Sequence, residues 1–208
     1  MTIEIWSDIV CPFCYLGKRK LEKAMDGFEH RNSIKVIYKS FQLMPHVKTE
    51  PELSINEFLA REKGMSLEEV TQMNEYVTQQ ALALGLNYQL EKAIVANTFR
   101  AHRLLHHAKS QGRQVETKER LMEAYFTEGK NMDDRNTLLE LANEIGLTQS
   151  EEILDSDEYA LDVRDDVLEG RQIGVKGVPF FAFDRKYAIS GAQDMEVFSK
   201  TLEQAFGK

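Results

Sequence analysis

The chain contains two cysteines, Cys11 and Cys14, separated only by Pro12 and Phe13. Two thiols at this spacing can close a disulfide between themselves or supply half of a tetrahedral metal site. Proline suits the first position of a helix, where its missing N–H had no partner to lose. That places Cys11 at the N-cap and Cys14 one turn inside. Three residues of helix rise about 4.5 Å and return to nearly the same face, so the two Cα atoms lie about 5 Å apart. This falls within the roughly 4.4 to 6.8 Å that a disulfide spans without strain. The pair can therefore open and close with little backbone motion. Unpaired N–H groups and the helix dipole favour an anion at the N-cap. Lowering a thiol from about 8.5 to about 7 raises its thiolate fraction at neutral pH from about 3% to about half. Cys11 is accordingly the expected nucleophile, ionised and reachable, and Cys14 the thiol that resolves the mixed disulfide.

Two other uses of the pair are weaker. A zinc site needs two more ligands; His102 and His106 lie at i, i+4 but far downstream of Cys14, beyond the separation of compact zinc modules. No metal is expected. A structural disulfide across so short a step would constrain almost nothing in the unfolded chain.

The elements that must hold the pair can be read on either side of it. Ile3 and Ile5 alternate with Thr2 and Glu4, and Ile34, Val36 and Tyr38 repeat the two-residue period of a strand. Between them Leu21, Ala24, Met25 and Phe28 form one helical stripe. A strand, helix and strand of this length make a βαβ unit with parallel strands. At the other end Phe180 to Phe183, the turn at Asp184-Arg185, and Tyr187 to Ser190 read as a hairpin. A closing helix from Asp194 presents Met195, Phe198, Leu202 and Ala205. Neither end has enough strands for a sheet of its own. Joined, they give an α/β fold with one mixed four-stranded sheet (βαβ + ββα) and helices on its faces.

The middle is helical almost throughout. One helix opens on a capping box, Ser66 with Glu69, and stops at Gly85. Others run from near Asn97 to before Gly112, around Lys118 to Tyr125, around Leu138 to Ile145, and from Ala160 to Leu168 before Gly170. No fixed period recurs, which argues against a helical solenoid. The expected division is 1–48 with 174–208 as a discontinuous sheet domain and 49–173 as a helical insertion.

Composition sets the bounds. Of 208 residues 42% are apolar and 29% charged, an ordinary globular balance. Twenty-six Lys and Arg against 34 Asp and Glu give a net charge of -8, which opposes non-specific binding to nucleic acid or anionic lipid. No run approaches the roughly 18 apolar residues of a membrane span, and the first residues lack the marks of a signal peptide. A cytoplasmic location is expected. In a reducing compartment two closely spaced cysteines point to catalysis before structure.

The run Ser7-Asp8-Ile9-Val10-Cys11-Pro12-Phe13-Cys14-Tyr15-Leu16-Gly17-Lys18 resembles the active-site signature of the DsbA family of thioredoxin-fold proteins, and more closely its cytosolic FrnE-like branch. Phe41-Gln42-Leu43-Met44-Pro45, the run from Asn97 to Leu104, and the run from Gly174 to Phe181 carry the resemblance along nearly the whole chain. It implies a thioredoxin fold with a helical insertion, and a cis peptide bond before Pro179 that faces the cysteines. Pro12, Phe13, Val178 and Pro179 then contact substrate, with the Val178 backbone presented as in strand addition. Asn97 and His102 match a family run that faces the cleft, and Asn97 is equally a good N-cap. Asp8, three residues before Cys11, is placed to move a proton to or from Cys14, or to be a turn carboxylate. Phe13, Tyr15 and Met44 could rim a substrate site or pack in the core.

The function these features imply is thiol–disulfide exchange through Cys11 and Cys14, by reduction, formation or isomerisation of disulfides. Phe13 stands where periplasmic DsbA has a histidine, which argues for a milder couple that rests reduced. No bound cofactor is required; glutathione or thioredoxin would supply thiols, and the substrate would be a disulfide- or thiol-containing protein or glutathione. Two rivals remain at this level. The related 2-hydroxychromene-2-carboxylate isomerases and kappa-class glutathione transferases act on small molecules but place serine where Cys11 stands. A non-catalytic adaptor would use the helical insertion as a partner surface. Oligomeric state, including a homodimer, stays open.

Overall fold

A computed structural model describes residues 1–207, which divide into two compact units, 1–43 with 161–207 and Met44–Ala160. In the first, β1 (Thr2–Ser7) leads into α1 (Pro12–Asp26) and β2 (Lys35–Ser40). After the second unit the chain returns through α8 (Ala160–Gln172), β5 (Phe180–Phe183), β6 (Tyr187–Ser190) and α9 (Met195–Phe206). The strands form one sheet in the order β2-β1-β5-β6. β1 runs parallel to β2, with Ile3 opposite Val36, and antiparallel to β5, with Ile5 opposite Phe181. This is the mixed α/β sheet of a thioredoxin fold.

The two-residue period of the strands decides which face each side chain joins. Ile3, Ile5, Tyr38, Phe181, Phe183 and Ile189 pack with Leu21 and Ala24 of α1 and Phe198 and Leu202 of α9. On the opposite face Trp6 and Ala182 pack with Phe41 and Val175. The hairpin turns where expected, with Asp184 and Arg185 both in the left-handed region at φ 47° and 55°. Met195 departs from its expected place: it is exposed at the first position of α9, while Phe198 and Leu202 are buried.

Gly170 does not end α8, which continues to Gln172. A Cβ at Gly170 would stand 2.7 Å from the Trp6 indole. The glycine is therefore a contact surface and not a stop. The indole N–H of Trp6 donates to the Asp166 carbonyl at 2.9 Å, and the Asp166 carboxylate accepts from Lys39 at 2.7 Å and from the Ser40 backbone N–H at 2.9 Å. These bonds tie α8 to the sheet. The compact unit accordingly begins at Leu161 and not at the residue 174 expected from periodicity.

The second unit holds a two-stranded antiparallel sheet, β3 (Glu50–Ser54) and β4 (Ile94–Val95), which the helical pattern concealed. Its helices are α2 (Ile55–Lys63), α3 (Leu67–Ala83), α4 (Phe99–Ser110), α5 (Gln114–Phe126), α6 (Arg135–Glu144) and α7 (Ser150–Leu154). The Ser66–Glu69 capping box of α3 is formed, and Ser54–Glu57 repeats it on α2. Buried Arg103 of α4 donates to the carbonyls of Ile153, Ser156 and Glu158, closing the segment after α7. Among the described residues no helix is long and apolar enough to cross a membrane.

Candidate active site

Cys11 ends the turn after β1 and is the N-cap of α1, in extended conformation at φ -90° and ψ 111° with Pro12 following. The Cys14 backbone N–H donates to the Cys11 carbonyl at 3.0 Å, which closes the first helical turn. Both sulfurs are free thiols. They hydrogen-bond to one another. The Cys11 Sγ also lies 3.6 Å from the Val178 carbonyl oxygen, to which a thiol can donate. The Val178–Pro179 peptide bond is cis. Thus one strand end, one helix start and the loop before β5 meet at a single sulfur.

The electrostatics differ from the sequence expectation. Cys11 is only 3% exposed. Its thiol is pushed well above the ordinary range, first by the hydrogen bond with Cys14, then by burial and by the charge a Cys14 thiolate would carry. The Asp8 carboxylate adds to the push, while the Cys14 backbone N–H at the helix start lowers the pKa and is outweighed. The helix-terminus effect read from the sequence is present. What spacing could not show is that the two sulfurs bond to one another and that both are buried. In this conformation Cys11 is held as a thiol and not as a standing thiolate.

Asp8 is buried beside the pair. One carboxylate oxygen accepts from the Ile9 N–H and the other from the Leu43 N–H, both at 2.8 Å. It fastens the turn after β1 to the segment after β2. Phe13 is 41% exposed and projects from the site, as does Leu43 at 44%, whereas Tyr15 is buried under the Arg19 guanidinium. Pro179 is buried and Val178 half-buried. Cys11, Cys14, Pro12, Phe13, Val178, Pro179 and Asp8 all belong to the first unit.

Asn97, His102 and Met44 belong to the second unit. Asn97 accepts from the Phe99 N–H at 2.9 Å and donates to the Val47 carbonyl at 3.0 Å, so it caps the approach to α4 from one residue before the N-cap, Thr98. His102 is buried within α4. Among the described residues no cluster of three or more His, Cys, Asp or Glu is arranged to hold a metal ion.

Sequence reasoning missed Gly17 and Leu43 as parts of this site. The Gly17 signal was available: a glycine inside a helix whose neighbours are good helix formers marks a close approach.

A mixed sheet of order β2-β1-β5-β6 with a Cys-x-x-Cys pair at the start of its first helix defines a thioredoxin-fold protein with a dithiol centre. The chain belongs to the DSBA-like thioredoxin domain family, which matches residues 2–203. It is similar to SCO1869 of Streptomyces coelicolor, a probable DsbA oxidoreductase, at 38% identity and a TM-score of 0.93, over 100% of this chain and 91% of that one. It is 27% identical to the uncharacterized protein YwbO of Bacillus subtilis (strain 168) over 96% of this chain and 94% of that protein. The cytosolic disulfide reductase DsbM of Pseudomonas aeruginosa shares the fold, with a TM-score of 0.70 at 18% identity over 98% of both chains; another of its structures contains GSH.

Proposed function

We propose that this chain is a cytoplasmic thiol–disulfide oxidoreductase in which Cys11 is the nucleophile and Cys14 the resolving thiol. The observation that carries the reading is the hydrogen-bonded dithiol on the first turn of α1 with the Val178 carbonyl 3.6 Å from Cys11. In the reducing direction the Cys11 thiolate attacks one sulfur of a substrate disulfide. A bond forms between that sulfur and Sγ of Cys11, and the second substrate sulfur leaves as a thiolate that takes up a proton. The Cys14 thiolate then attacks Sγ of Cys11, and the first substrate sulfur leaves. Two electrons pass to the substrate and the enzyme is left with a Cys11–Cys14 disulfide. Glutathione or thioredoxin returns it to the dithiol, and no bound cofactor takes part. The Val178 backbone and the Pro179 ring align an extended substrate, with Pro12 and Phe13 at its flank.

A strongly oxidising couple draws its drive from a stabilised nucleophilic thiolate. Here the Cys11 thiol is favoured over its thiolate, which supports a mild couple that rests reduced. Cys14→Ser is expected to strand captured protein clients as mixed disulfides on Cys11, and Cys11→Ser to abolish disulfide reduction. Reduction rates unchanged in Cys11→Ser would refute the assignment; an empty Cys14→Ser trap in lysate would redirect it to a small-molecule substrate.

A further inference from the structure

The helix that carries the cysteines also carries Gly17, three residues beyond Cys14 and buried. Glycine is a poor choice for a helix interior, because it loses more conformational freedom on folding than alanine would. The surroundings explain it. A Cβ built on Gly17 would stand 2.9 Å from Cζ of Phe181 and 3.0 Å from Cγ of Pro179. Both partners are themselves buried. Phe181 is on β5, in the centre of the sheet between β1 and β6, and Pro179 directly follows Val178, whose carbonyl meets the Cys11 sulfur. The missing side chain therefore lets the backbone of α1 lie directly on the Pro179 ring.

We propose that Gly17 is a positioning residue that fixes the separation of the cysteine helix from the Val178–Pro179 loop. The proposal rests on the thiol–disulfide reading above. Restoring ordinary carbon–carbon contact of about 3.5 Å or more at both atoms requires a displacement of at least about 0.6 Å. The α1 backbone and β5 core resist it, so the loop moves away from Cys11. Two effects follow with opposite signs. Losing the Val178 acceptor removes a bond made only by the protonated thiol, so Cys11 ionises more readily and reacts faster with a small alkylating agent. At the same time the backbone that aligns an extended substrate is misplaced, and disulfide turnover falls by about tenfold.

The test compares wild type with Gly17→Ala. Iodoacetamide labelling of the reduced protein is scored at Cys11 by peptide mass, next to disulfide turnover and the folded fraction from circular dichroism. Faster labelling of Cys11 together with slower turnover in a folded protein is the expected result. Unchanged labelling and turnover, or a turnover loss that only tracks the folded fraction, overturns the proposal. Should Gly17→Ala fail to fold, Gly17→Ala with Phe181→Leu is compared with Phe181→Leu alone: the methyl group then still meets Cγ of Pro179 at 3.0 Å, so the double variant should label faster at Cys11 and turn over more slowly, and equal rates overturn the proposal. A wild type with no disulfide turnover would sink the redox reading, while the labelling comparison would still decide the role of Gly17.

Discussion

Cys11 combines a helix N-terminus that favours its anion with surroundings that oppose it, and the opposing contributions win. The Cys14 hydrogen bond and burial dominate, and both depend on the sulfurs remaining packed together. A thiol raised in this way is less ionised at neutral pH than an exposed cysteine. The alkylation rate of Cys11 should rise with pH along a curve whose midpoint lies above that of an ordinary thiol, about 8.5. Asp8→Asn removes the smallest of the charges that push Cys11 up, so its curve should shift modestly to lower pH and labelling at pH 8 should increase. A curve unmoved by Asp8→Asn would show that the carboxylate acts only through its bonds to the Ile9 and Leu43 N–H groups.

At the scale of elements, two helices show how one residue type carries opposite meanings. Gly85, just beyond the last turn of α3, adopts φ 82°, a conformation that glycine reaches at little cost. Gly170 lies inside α8, where the demand is room for an indole. The pattern of neighbouring residues looks alike in both places, and only the position of Trp6 separates them. Gly170→Ala should overpack this seam and cost about 1 to 3 kcal/mol, despite alanine's better helix propensity. Trp6 is the sole tryptophan, so its fluorescence should report the displacement of α8 alongside a lowered melting temperature. A variant as stable as wild type with an unshifted emission would show that the seam has slack.

At the scale of the molecule, the first unit is assembled from both ends of the chain, and charged groups help to close it. Lys39 on β2 bridges Asp166 at 2.7 Å and Glu169 at 2.9 Å, while Arg185 bridges Glu169 at 2.6 Å and Glu4 on β1 at 2.5 Å. Burial opposes the Lys39 charge, but its carboxylate partners outweigh that and raise its pKa. Asp166 has a side chain only 6% exposed, so losing its cation would be costly. Lys39→Met should destabilise the unit by about 3 kcal/mol, the lower end for breaking a buried pair. Glu169 is held below the ordinary carboxylate range, first by Lys39 and also by Arg185. A depressed folded-state pKa gives stability that is present above the unfolded value, about 4.3, and is lost as pH falls through the folded value. Denaturant titrations should show this acid-side loss in wild type and a shallower one in Lys39→Met. Equal slopes would mean that Arg185 alone holds Glu169 ionised.

The sequence by itself determined the periodicities, the caps and the cysteine spacing, because these depend on neighbours within a turn or a strand. Ile3 and Ile5, Ser66 with Glu69, the Asp184-Arg185 turn and the Cys11–Cys14 pair all follow from local geometry. Ser54 with Glu57 was equally readable, and its capping box starts α2. Only the tertiary structure decided where α8 belongs, what Gly17 and Gly170 are for, and which way the Cys11 thiol is pushed. The helix and the glycines depend on atoms distant along the chain, Trp6 against Gly170 and Pro179 and Phe181 against Gly17, and the Cys11 thiol on its bond with Cys14 and on how deeply the folded unit buries it. Contact at such separations is fixed by how the sheet closes and how much water it excludes, and no local residue spacing encodes either.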